Sequence, residues 1–343
     1  MENKLRDSVF LKACRREKTP YTPVWLMRQA GRYMKHYRDV RAKMAFNDLC
    51  KNPAMAAEVT VMAQEKFNAD AAIIFSDILL LLEPMGFAVN YLKNGPSISP
   101  ALSGFSVDHI READPEKSLS YVCEAVRLAR KELKEDIPLI GFAGAPFTLA
   151  SYMIEGGASK EFSATKKFMQ ADSSRWGVLM NKITHAVLAH LNAQIKAGAQ
   201  AVQVFDSWAG ILTSKEYEKF VLPYSRKLIT GINDAPVIHF GTRTGPFLKI
   251  MSQAGGDVIG VDYHLTLDAA WDKIGSDKGV QGNLDPLVLL SNHRDIKNHV
   301  IRILKEAAGR PGHIFNLGHG VLPETPEDNV KFLVETVHEL SQR

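Results

Sequence analysis

Short apolar runs alternate with longer segments of helical periodicity along the chain, and this alternation restricts its fold more than any other feature. Most of the short runs are apolar on both faces, which is typical of parallel strands covered by helices. Several helical segments open with a capping residue and a proline, as at Asp114-Pro115 and Thr325-Pro326, which is a common helix start. The pattern predicts strands at residues 22–27, 71–76, 138–142, 201–205, 236–239, 258–261, 279–281 and 314–317.

Eight strands with helices between them predict an α/β fold, a (β/α)8 barrel of the TIM type with site-forming loops at the C-terminal ends of the strands. An open, doubly wound sheet is the alternative, because periodicity does not reveal whether a sheet closes. A chain of 343 residues also has the length of two average domains, but no proline- or serine-rich linker divides it. We therefore expect a single domain over residues 1–343.

Composition excludes several classes of protein. Hydrophobic residues make up 45% of the chain, enough for a large core, and the formal net charge of +4 is too small to indicate nucleic acid as a partner. No apolar stretch approaches the roughly 20 residues that span a bilayer, and the N-terminus lacks the apolar part of a secretory signal. Cys14, Cys50 and Cys123 are odd in number, widely spaced and without a CxxC motif. We expect a soluble cytoplasmic protein that binds neither nucleic acid nor membranes.

Polar residues follow most of the predicted strands at their carboxyl ends. In a parallel barrel these ends share one mouth, where the loops build the active site. Residues that are remote in sequence are therefore expected to meet in one cleft. The polar residues concerned include Arg28, Arg32, Asp77, Asp206, Ser207, Arg243, Asp262, Asn283 and His319.

Each of these residues also has a structural explanation. Asp77 lies between apolar residues, so its carboxylate must find donors or shift its pKa, and a helix cap accounts for it equally well. His319 stands between two glycines that let the backbone approach a ligand, although an isolated loop histidine is more often structural. Ser207 has no GxSxG context, which favours a ligand hydrogen bond or a cap over a nucleophile. The glycine-rich turn before Tyr152 matches no phosphate-binding motif, and Tyr152 fits the core equally well.

Residues 28–43 form the most unusual segment of the chain. They contain six basic residues and one acidic residue, a net charge of +5, with two interleaved tyrosines. A solvated helix face would explain this composition, and a basic-aromatic mixture could also contact nucleic acid. However, Arg28 and Arg32 flank a glycine directly after a predicted strand, where guanidinium groups can bind carboxylates in a bidentate manner. A polyanionic small molecule is the favoured ligand.

Six sequence segments, in order along nearly the whole chain, together match the pattern of one known family. The most specific is PVWLMRQAGRYM at residues 23–34, and the others are IIFSDILLLLEPMG (73–86), GFAGAPFTLASYMIEGG (141–157), QVFDSWAG (203–210), QGNLDP (281–286) and FNLGHGVLPETP (315–326). On these segments the chain resembles the uroporphyrinogen decarboxylase family. Lys35-His36 departs from the Pro-Glu that is common in the family, on what should be the outer side of the site.

The resemblance implies a lyase of haem biosynthesis that is a distorted β/α barrel, forms a homodimer with facing clefts and needs no cofactor or metal. It implies removal of carbon dioxide from the four acetate side chains of uroporphyrinogen III, giving coproporphyrinogen III. It also implies that Asp77 hydrogen-bonds the pyrrole N–H groups. The implied catalytic residues are Asp77, Arg28, Tyr152 and His319, and the implied substrate-binding residues are Arg28, Gln29, Ala30, Gly31, Arg32, Phe46, Asp77, Tyr152, Ser207 and His319.

Elementary chemistry agrees with decarboxylation without a cofactor. The reaction needs an acceptor for an electron pair, and the sequence has no motif for pyridoxal phosphate, thiamine or a metal. A pyrrole ring protonated at carbon can accept the pair, and Asp77 can stabilise the resulting cation. Arg28, Arg32 and His319 can supply positive charge for the substrate's carboxylates. The proton donor stays open, because a guanidinium with a pKa above about 12 is a poor acid.

Two other functions remain open from the sequence. Zinc- and corrinoid-linked methyltransferases have a similar fold and hold zinc with His and Cys ligands. Here no cysteine follows His239-Phe240-Gly241, and none lies at a late strand end. A non-catalytic tetrapyrrole carrier would keep the basic loop at residues 28–32 but would not require Asp77. We expect a decarboxylase that holds no metal and no cofactor.

Overall fold

A curled, seven-stranded parallel sheet forms the centre of the computed structural model, which describes residues 2–92, 94–102 and 106–343. The strands are β1 (Ala72–Ile73), β2 (Ala88–Leu92), β3 (Gly95–Ser99), β4 (Leu139–Gly144), β5 (Ala201–Asp206), β6 (Val237–Gly241), β7 (Val258–Gly260), β8 (Gly279–Gln281) and β9 (His313–Ile314). The sheet has the order β1-β4-β5-β6-β7-β8-β9, and β2 and β3 form a separate antiparallel hairpin. Every pair within the sheet is parallel, in agreement with the predicted α/β class.

Residues 23–25 close the barrel between its last and first strands. Val24 forms a parallel β-bridge with Phe315, directly after β9, and the Phe315 N–H donates to the Pro23 carbonyl at 2.8 Å. On the other side, the Asp70 N–H, just before β1, donates to the Val24 carbonyl at 2.8 Å. Both edges of the sheet are therefore joined through one segment, and the alternative of an open sheet is wrong.

The strand predicted at residues 22–27 is wrong, because this segment makes a single bridge rather than a ladder. The Trp25 N–H donates to the Phe315 carbonyl at 3.3 Å, but other N–H groups of the segment donate to side chains: Val24 to Asp70 Oδ2 at 2.7 Å and Met27 to Asn316 Oδ1 at 3.1 Å. These acceptors satisfy backbone donors that a neighbouring strand would otherwise have to satisfy. The other seven predicted strands are confirmed: that at residues 279–281 has the predicted bounds, and the bounds of the other six differ by one to three residues at an end.

Helices cover the outside of the sheet. The helices Pro115–Ser118 and Glu327–Leu340 begin at or directly after a proline, as predicted for Asp114-Pro115 and Thr325-Pro326. Asn52 caps the helix Pro53–Phe67 by accepting the Met55 N–H at 3.2 Å. No helix within the described ranges is long and apolar enough to cross a membrane. The helices are α1 (Glu2–Arg6), α2 (Val9–Cys14), α3 (Lys35–Lys43), α4 (Phe46–Cys50), α5 (Pro53–Phe67), α6 (Pro115–Ser118), α7 (Ser120–Glu132), α8 (Pro146–Glu155), α9 (Ser163–Ala171), α10 (Ser173–Ala197), α11 (Ser214–Phe220), α12 (Leu222–Thr230), α13 (Leu248–Ser252), α14 (Leu267–Ile274), α15 (His293–Ala307) and α16 (Glu327–Leu340).

The barrel interior is filled with side chains, so it is a core and not a channel. Helix α2 packs Phe10 among the buried residues that line the first half of the strands. Higher up, Trp25 Nε1 donates to Gln281 Oε1 at 2.9 Å, and Gln281 Nε2 donates to Gln203 Oε1 at 3.0 Å. Because β5 and β8 are not neighbours in the sheet, these bonds cross the interior and tie the closing segment to the opposite wall.

The hairpin β2–β3 is a feature that the sequence analysis does not predict. It follows β1 and pairs residues 88–92 with residues 95–99 in antiparallel register. The Ile98 N–H donates to the Gly156 carbonyl at 2.8 Å, at the end of α8, and this bond fixes the hairpin to the barrel. The sequence does carry a signal for it, since Asn94-Gly95 is a preferred turn pair and apolar residues alternate before it.

Candidate active site

A cleft of about 870 Å³ opens at the carboxyl ends of the strands. This volume falls within the roughly 300–1,000 Å³ that is typical of small-molecule sites. The structure brings all of the residues that the resemblance implies into the wall of this one cleft: Arg28, Gln29, Ala30, Gly31, Arg32, Phe46, Asp77, Tyr152, Ser207 and His319.

Two of the other strand-end residues lie beneath the cleft and do not line it. Asp206 is fully buried and accepts a hydrogen bond from Thr148 Oγ1 at 3.1 Å. Asn283 is also buried, and its Nδ2 donates to the Asp262 carbonyl at 2.9 Å. The expectation that polar strand-end residues meet in the cleft is therefore wrong for these two, whose side chains serve the packing of the loops.

Asp77 follows β1 and presents its carboxylate to the cleft. Its Oδ1 accepts the Leu79 N–H at 2.8 Å, so it is a local cap as well as a cleft residue. Burial raises the pKa of the Asp77 carboxyl above its ordinary value. The Leu79 N–H, the Tyr91 hydroxyl and the charge of Arg28 act against this rise. One carboxylate in the cleft is thus destabilised by burial and supported by nearby donors and positive charge.

At Arg28 the chain leaves the closing segment and enters the loop that lines the cleft. The Arg28 backbone is left-handed, with φ of 62°, a conformation that residues with a Cβ seldom adopt. Its side chain passes directly over Gly320, where a Cβ would collide with it. Burial and the positive charge of Arg32 lower the pKa of Arg28, while Asp77 acts in the opposite direction.

Gln29 holds the shape of the loop at residues 28–32. Its side-chain oxygen accepts the Leu26 N–H at 3.2 Å, and its amide nitrogen donates to the Ala71 carbonyl at 3.2 Å. Its own carbonyl accepts the Tyr33 hydroxyl at 2.6 Å. The side chain of Gln29 is 2% exposed, so this residue orders the arginines beside it through bonds within the protein.

Aromatic side chains form a second wall. The half-buried Tyr152 on α8 meets Trp208 edge to face, with ring centroids 5.7 Å apart. Burial and the Asp77 charge raise the pKa of Tyr152 to about 12, so its hydroxyl is protonated at neutral pH and can donate. Ser207 precedes Trp208, and its carbonyl accepts Thr242 Oγ1 at 2.5 Å, which ties the loop after β5 to the loop after β6.

His319 lies between charges of opposite sign. Burial and the nearby Arg28 lower the pKa of its imidazole, whereas Asp262 acts in the opposite direction. The lowered pKa favours the neutral imidazole, which is a hydrogen-bonding group, in the unliganded cleft. The expectation that His319 supplies positive charge for carboxylates stays a prediction.

Positive charge reaches the cleft from two sides. Arg28, Arg32 and Arg41 come from the basic segment, and Arg243 comes from the loop after β6. Arg243 also has a left-handed backbone, with φ of 55°, and its N–H donates to Asp262 Oδ2 at 2.6 Å. Its side chain is exposed. A ligand in the cleft therefore faces guanidinium groups on opposite walls.

Two other basic residues of this segment, Lys35 and Arg38, are occupied outside the cleft. Lys35 Nζ binds Asp39 Oδ2 at 2.7 Å, and Arg38 Nη1 donates to the Tyr33 carbonyl at 2.5 Å. Lys35 does not line the cleft, in line with the expected outer position of the Lys35-His36 departure. The basic segment is therefore divided between binding and surface roles.

Asp262 is the second carboxylate of the cleft, and its oxygens are already engaged. Its Oδ2 accepts the Arg243 N–H and lies 2.7 Å from His264 Nδ1. The residue is buried and holds the loop that carries His264. We therefore assign it a structural part, in contrast to Asp77.

Tyr91 is a cleft residue that sequence reasoning missed. It projects from β2 toward Asp77, and its ring meets Phe46 edge to face with centroids 4.6 Å apart. The Arg41 guanidinium lies over the Phe46 ring, 5.7 Å from the ring centre. Recognition of the hairpin from Asn94-Gly95 would have been needed to place it.

Metal-binding groups are sparse in the described part of the chain. No three His, Cys, Asp or Glu side chains among the described residues are grouped as a metal site requires. The cysteines Cys14, Cys50 and Cys123 are buried thiols outside the cleft wall. His239 is fully buried in the barrel, with Nε2 3.9 Å from Asp206 Oδ2. The residues present thus do not fit the zinc site of a thiol-activating methyltransferase.

A parallel sheet closed by residues 23–25, with its cleft at the carboxyl ends of the strands, defines a (β/α)8 barrel protein of the enzyme type. The arginines on two walls and the carboxylate of Asp77 give this cleft charges of both signs. The chain belongs to the uroporphyrinogen decarboxylase family, since the sequence model described as "Uroporphyrinogen decarboxylase (URO-D)" matches residues 5–340.

Relatives with that name are similar over almost their full length. The uroporphyrinogen decarboxylase of Carboxydothermus hydrogenoformans is 51% identical over 339 residues, which cover 98% of this chain and 97% of the relative. That of Trichlorobacter lovleyi is 50% identical over 336 residues, covering 97% and 99%. The two alignments cover nearly the whole of this chain.

Solved structures share the fold at low sequence identity. A methyltransferase from Methanosarcina mazei matches with a TM-score of 0.84 at 18% identity, covering 97% of this chain and 99% of that one. A putative vitamin-B12 independent methionine synthase from Listeria monocytogenes matches with a TM-score of 0.62 at 14% identity, covering 94% and 97%. These likenesses concern the fold alone, and the predicted barrel is confirmed by them.

Proposed function

We propose that this protein is a uroporphyrinogen decarboxylase, a carboxy-lyase that converts uroporphyrinogen III to coproporphyrinogen III. The observation that carries the proposal is the position of Asp77, a half-buried carboxylate in a cleft with arginines on opposite walls. A tetrapyrrole with carboxylates around its edge and N–H groups at its centre has the complementary distribution of charge. Membership of the family and relatives near 50% identity support the same activity.

The substrate itself accepts the electron pair in this proposal. Protonation of a pyrrole ring carbon gives a cation, the bond between the acetate methylene and its carboxylate breaks, and the released pair neutralises the ring as carbon dioxide leaves. A proton then adds to the exocyclic carbon to form a methyl group, and loss of the proton from the ring carbon restores the pyrrole. Each cycle consumes one proton and turns one acetate into one methyl group.

Asp77 stabilises the cation in this reaction. Its carboxylate accepts the pyrrole N–H groups, and its negative charge opposes the positive charge that develops on the ring. Fixed charge of this kind in a water-poor site contributes about 3–4 kcal/mol to a transition state. The Leu79 N–H holds one carboxylate oxygen in place, so the group does not need to reorient during the reaction.

The other cleft residues bind and orient the substrate. Arg28, Arg32 and Arg243 take the carboxylates as bidentate partners, and the protonated Tyr152 hydroxyl donates to an acetate. Phe46 packs against the macrocycle, Ser207 hydrogen-bonds a peripheral carboxylate, and Ala30 and Gly31 allow close approach of the backbone. His319 accepts or donates one hydrogen bond beside Arg28.

Anaerobic incubation of the purified protein with uroporphyrinogen III, followed by chromatography of the oxidised products, tests the activity. We expect porphyrinogens with progressively fewer carboxylates, ending at coproporphyrinogen, in the presence of a strong chelator. Asp77→Asn is the matched inactive variant. Substrate that binds and is recovered unchanged would identify a carrier, and turnover that chelation abolishes and zinc restores would identify a metalloenzyme.

The proposal includes a homodimer in the cytoplasm. Leu92 and Tyr263 border the cleft with 63% and 40% of their surface exposed, and a second copy facing the cleft would cover them. The buried thiols of the three cysteines suit a reducing compartment. Sedimentation equilibrium at micromolar concentration should give twice the monomer mass, and a monomer at every concentration would contradict the dimer.

We also propose that residues 1–343 form one domain. The closing segment at residues 23–25 pairs with Phe315, and α16 returns to pack near α5, so both ends of the described chain contribute to the same barrel. Calorimetric unfolding should therefore show one transition. Two separable transitions in the intact protein would contradict this part of the proposal.

A further inference from the structure

The hydroxyl of Tyr91 is buried without a hydrogen-bond partner among the described residues. A buried, unpaired hydroxyl is costly and calls for an explanation. The neighbouring acceptor is the Asp77 carboxylate, close enough for the two groups to alter each other's pKa. The contact lacks ordinary hydrogen-bond geometry in the unliganded structure, as is common for catalytic hydrogen bonds before a ligand is bound.

The position of Tyr91 is fixed from several sides. The β2–β3 register holds its backbone, and the Ile98–Gly156 bond anchors the hairpin to α8. The edge-to-face contact with Phe46 restrains the ring. The Tyr91 hydroxyl is therefore held in a fixed position in the cleft, which a donor to the Asp77 carboxylate requires.

The surroundings of Asp77 leave room for one more donor. Leu79 N–H occupies Oδ1, and Oδ2 accepts no hydrogen bond from the described residues. The charged or titratable groups that face the carboxylate are Arg28 from the closing loop, Tyr152 from α8, Cys50 from α4 and Tyr91 from the hairpin. Arg28 acts through its charge, and Tyr91 is the group with a free hydroxyl next to the carboxylate.

We propose that Tyr91 is a positioning residue that donates its hydroxyl to the Asp77 carboxylate and keeps it ionised and aimed at the substrate's pyrrole N–H groups. For the reaction this inference rests on the proposed function, while the Tyr91–Asp77 bond can be tested without it. The hydroxyl does not touch the reacting atoms. It acts through Asp77, because a donor to a carboxylate favours the ionised form.

The matched pair of variants is Tyr91→Phe and Tyr121→Phe. Tyr121 also has a buried hydroxyl without a partner among the described residues, but it lies outside the cleft wall. Titration of protein labelled with ¹³C at aspartate carboxyls, with the Asp77 signal assigned by its absence in Asp77→Asn, gives the pKa directly. We expect the pKa of Asp77 to rise in Tyr91→Phe and to stay at the wild-type value in Tyr121→Phe.

Kinetics supply the second readout. The acid limb of kcat should move to higher pH in Tyr91→Phe, with kcat about tenfold lower on that limb, the effect of losing a hydrogen bond to a charged group. KM and the kcat plateau at higher pH should stay near the wild-type values. An Asp77 pKa that Tyr91→Phe leaves unchanged would overturn the inference. If the Asp77 pKa rises as expected but the protein never decarboxylates uroporphyrinogen, only the proposed function would be overturned.

Discussion

The side chain of Arg28 occupies the space that a side chain at Gly320 would fill. A Cβ on Gly320 would lie 2.7 Å from Arg28 Cγ and 2.9 Å from Nε, closer than such atoms approach in folded proteins. The absence of a side chain at Gly320 therefore leaves the space that the Arg28 side chain occupies. Two loops from opposite ends of the chain meet at this point, and the guanidinium keeps its position because residue 320 has no side chain.

Gly320→Ala should displace the Arg28 side chain and impair substrate binding. The methyl group must push aside an arginine that we assign to a carboxylate, so we expect KM to rise about tenfold, equivalent to ~1.4 kcal/mol. Gly245→Ala is the control, because a Cβ there meets only Leu265 Cδ2, at 3.8 Å. Steady-state kinetics with a thermal melt of both variants checks this, and a wild-type KM in Gly320→Ala would contradict it.

Asp77→Asn should lower turnover and raise stability. Asparagine keeps an oxygen for the Leu79 N–H but carries no charge, so we expect kcat to fall roughly 10²- to 10³-fold. Burial raises the folded-state pKa of Asp77, so the folded protein holds this proton more tightly than the unfolded chain does. This group's contribution to wild-type stability is therefore lost as pH rises from the unfolded pKa through the folded pKa.

Urea denaturation of both proteins across this pH range measures the difference. Asp77→Asn should gain stability relative to the wild type as pH rises through the window and retain the gain at pH 7. A variant that keeps wild-type turnover, or that is less stable at pH 7, would count against the assignment of Asp77.

Arg28→Gln should raise the pKa of His319 toward the ordinary histidine value. Burial and the charge of Arg28 are the two causes that lower it, and the substitution removes the second while leaving the first. Histidine-selective NMR titration, with the signal assigned through His319→Gln, gives the pKa in each protein. An unchanged value would mean that Arg28 does not act on this imidazole in solution.

Arg243→Gln should weaken substrate binding with little effect on the chemical step. Its backbone N–H still binds Asp262, so the loop should keep its shape, but one charged partner for carboxylates is lost. We expect KM to rise about fivefold, equivalent to ~1 kcal/mol, and the effect to shrink at high salt. Arg294→Gln, an exposed charge on α15 away from the cleft wall, is the control. Equal KM values in the two variants would refute the prediction.

Asp70→Asn should destabilise the fold without altering the cleft wall. Its carboxylate accepts Val24 N–H at 2.7 Å and Tyr21 hydroxyl at 2.9 Å, and it lies 2.7 Å from His338 Nε2. The amide supplies one acceptor oxygen in place of two, so we expect a loss of roughly 2–4 kcal/mol. Tyr21→Phe removes a single bond and should cost about 1 kcal/mol. Urea denaturation measures the free energy of unfolding of the two variants. Equal losses in Asp70→Asn and Tyr21→Phe would contradict the assignment of several hydrogen bonds to Asp70.

The sheet could be predicted from the sequence because its strands are buried on both faces and therefore read as continuous apolar runs. The segment at residues 22–27 has the same composition and yet is no strand. The N–H groups of Val24 and Met27 are satisfied by Asp70 and Asn316, and neither partner can be inferred from local pattern. Sequence periodicity reports burial, whereas pairing depends on which acceptors the fold brings near.

The site residues also differ in whether they could be placed from the sequence. Asp77, Ser207 and Arg243 could be placed because they follow strands, whose carboxyl ends share one mouth. Tyr91 could not be placed in this way, since it lies within a hairpin inserted after β1 rather than at a strand end of the barrel. The lowered pKa of His319 also depends on burial and on Arg28, which only the folded arrangement determines.

The closure of the barrel by Val24 and Phe315 has a consequence for how the protein is made. These partners are far apart along the chain, so during translation Val24 stays unpaired until Phe315 has left the ribosome. Contacts of such high sequence separation form late and slow folding. The loop at residues 28–32 follows the closing segment directly. The cleft is therefore not assembled in a nascent chain that has not yet made this pairing. Enzymatic activity therefore measures the fraction of molecules that have completed this last pairing.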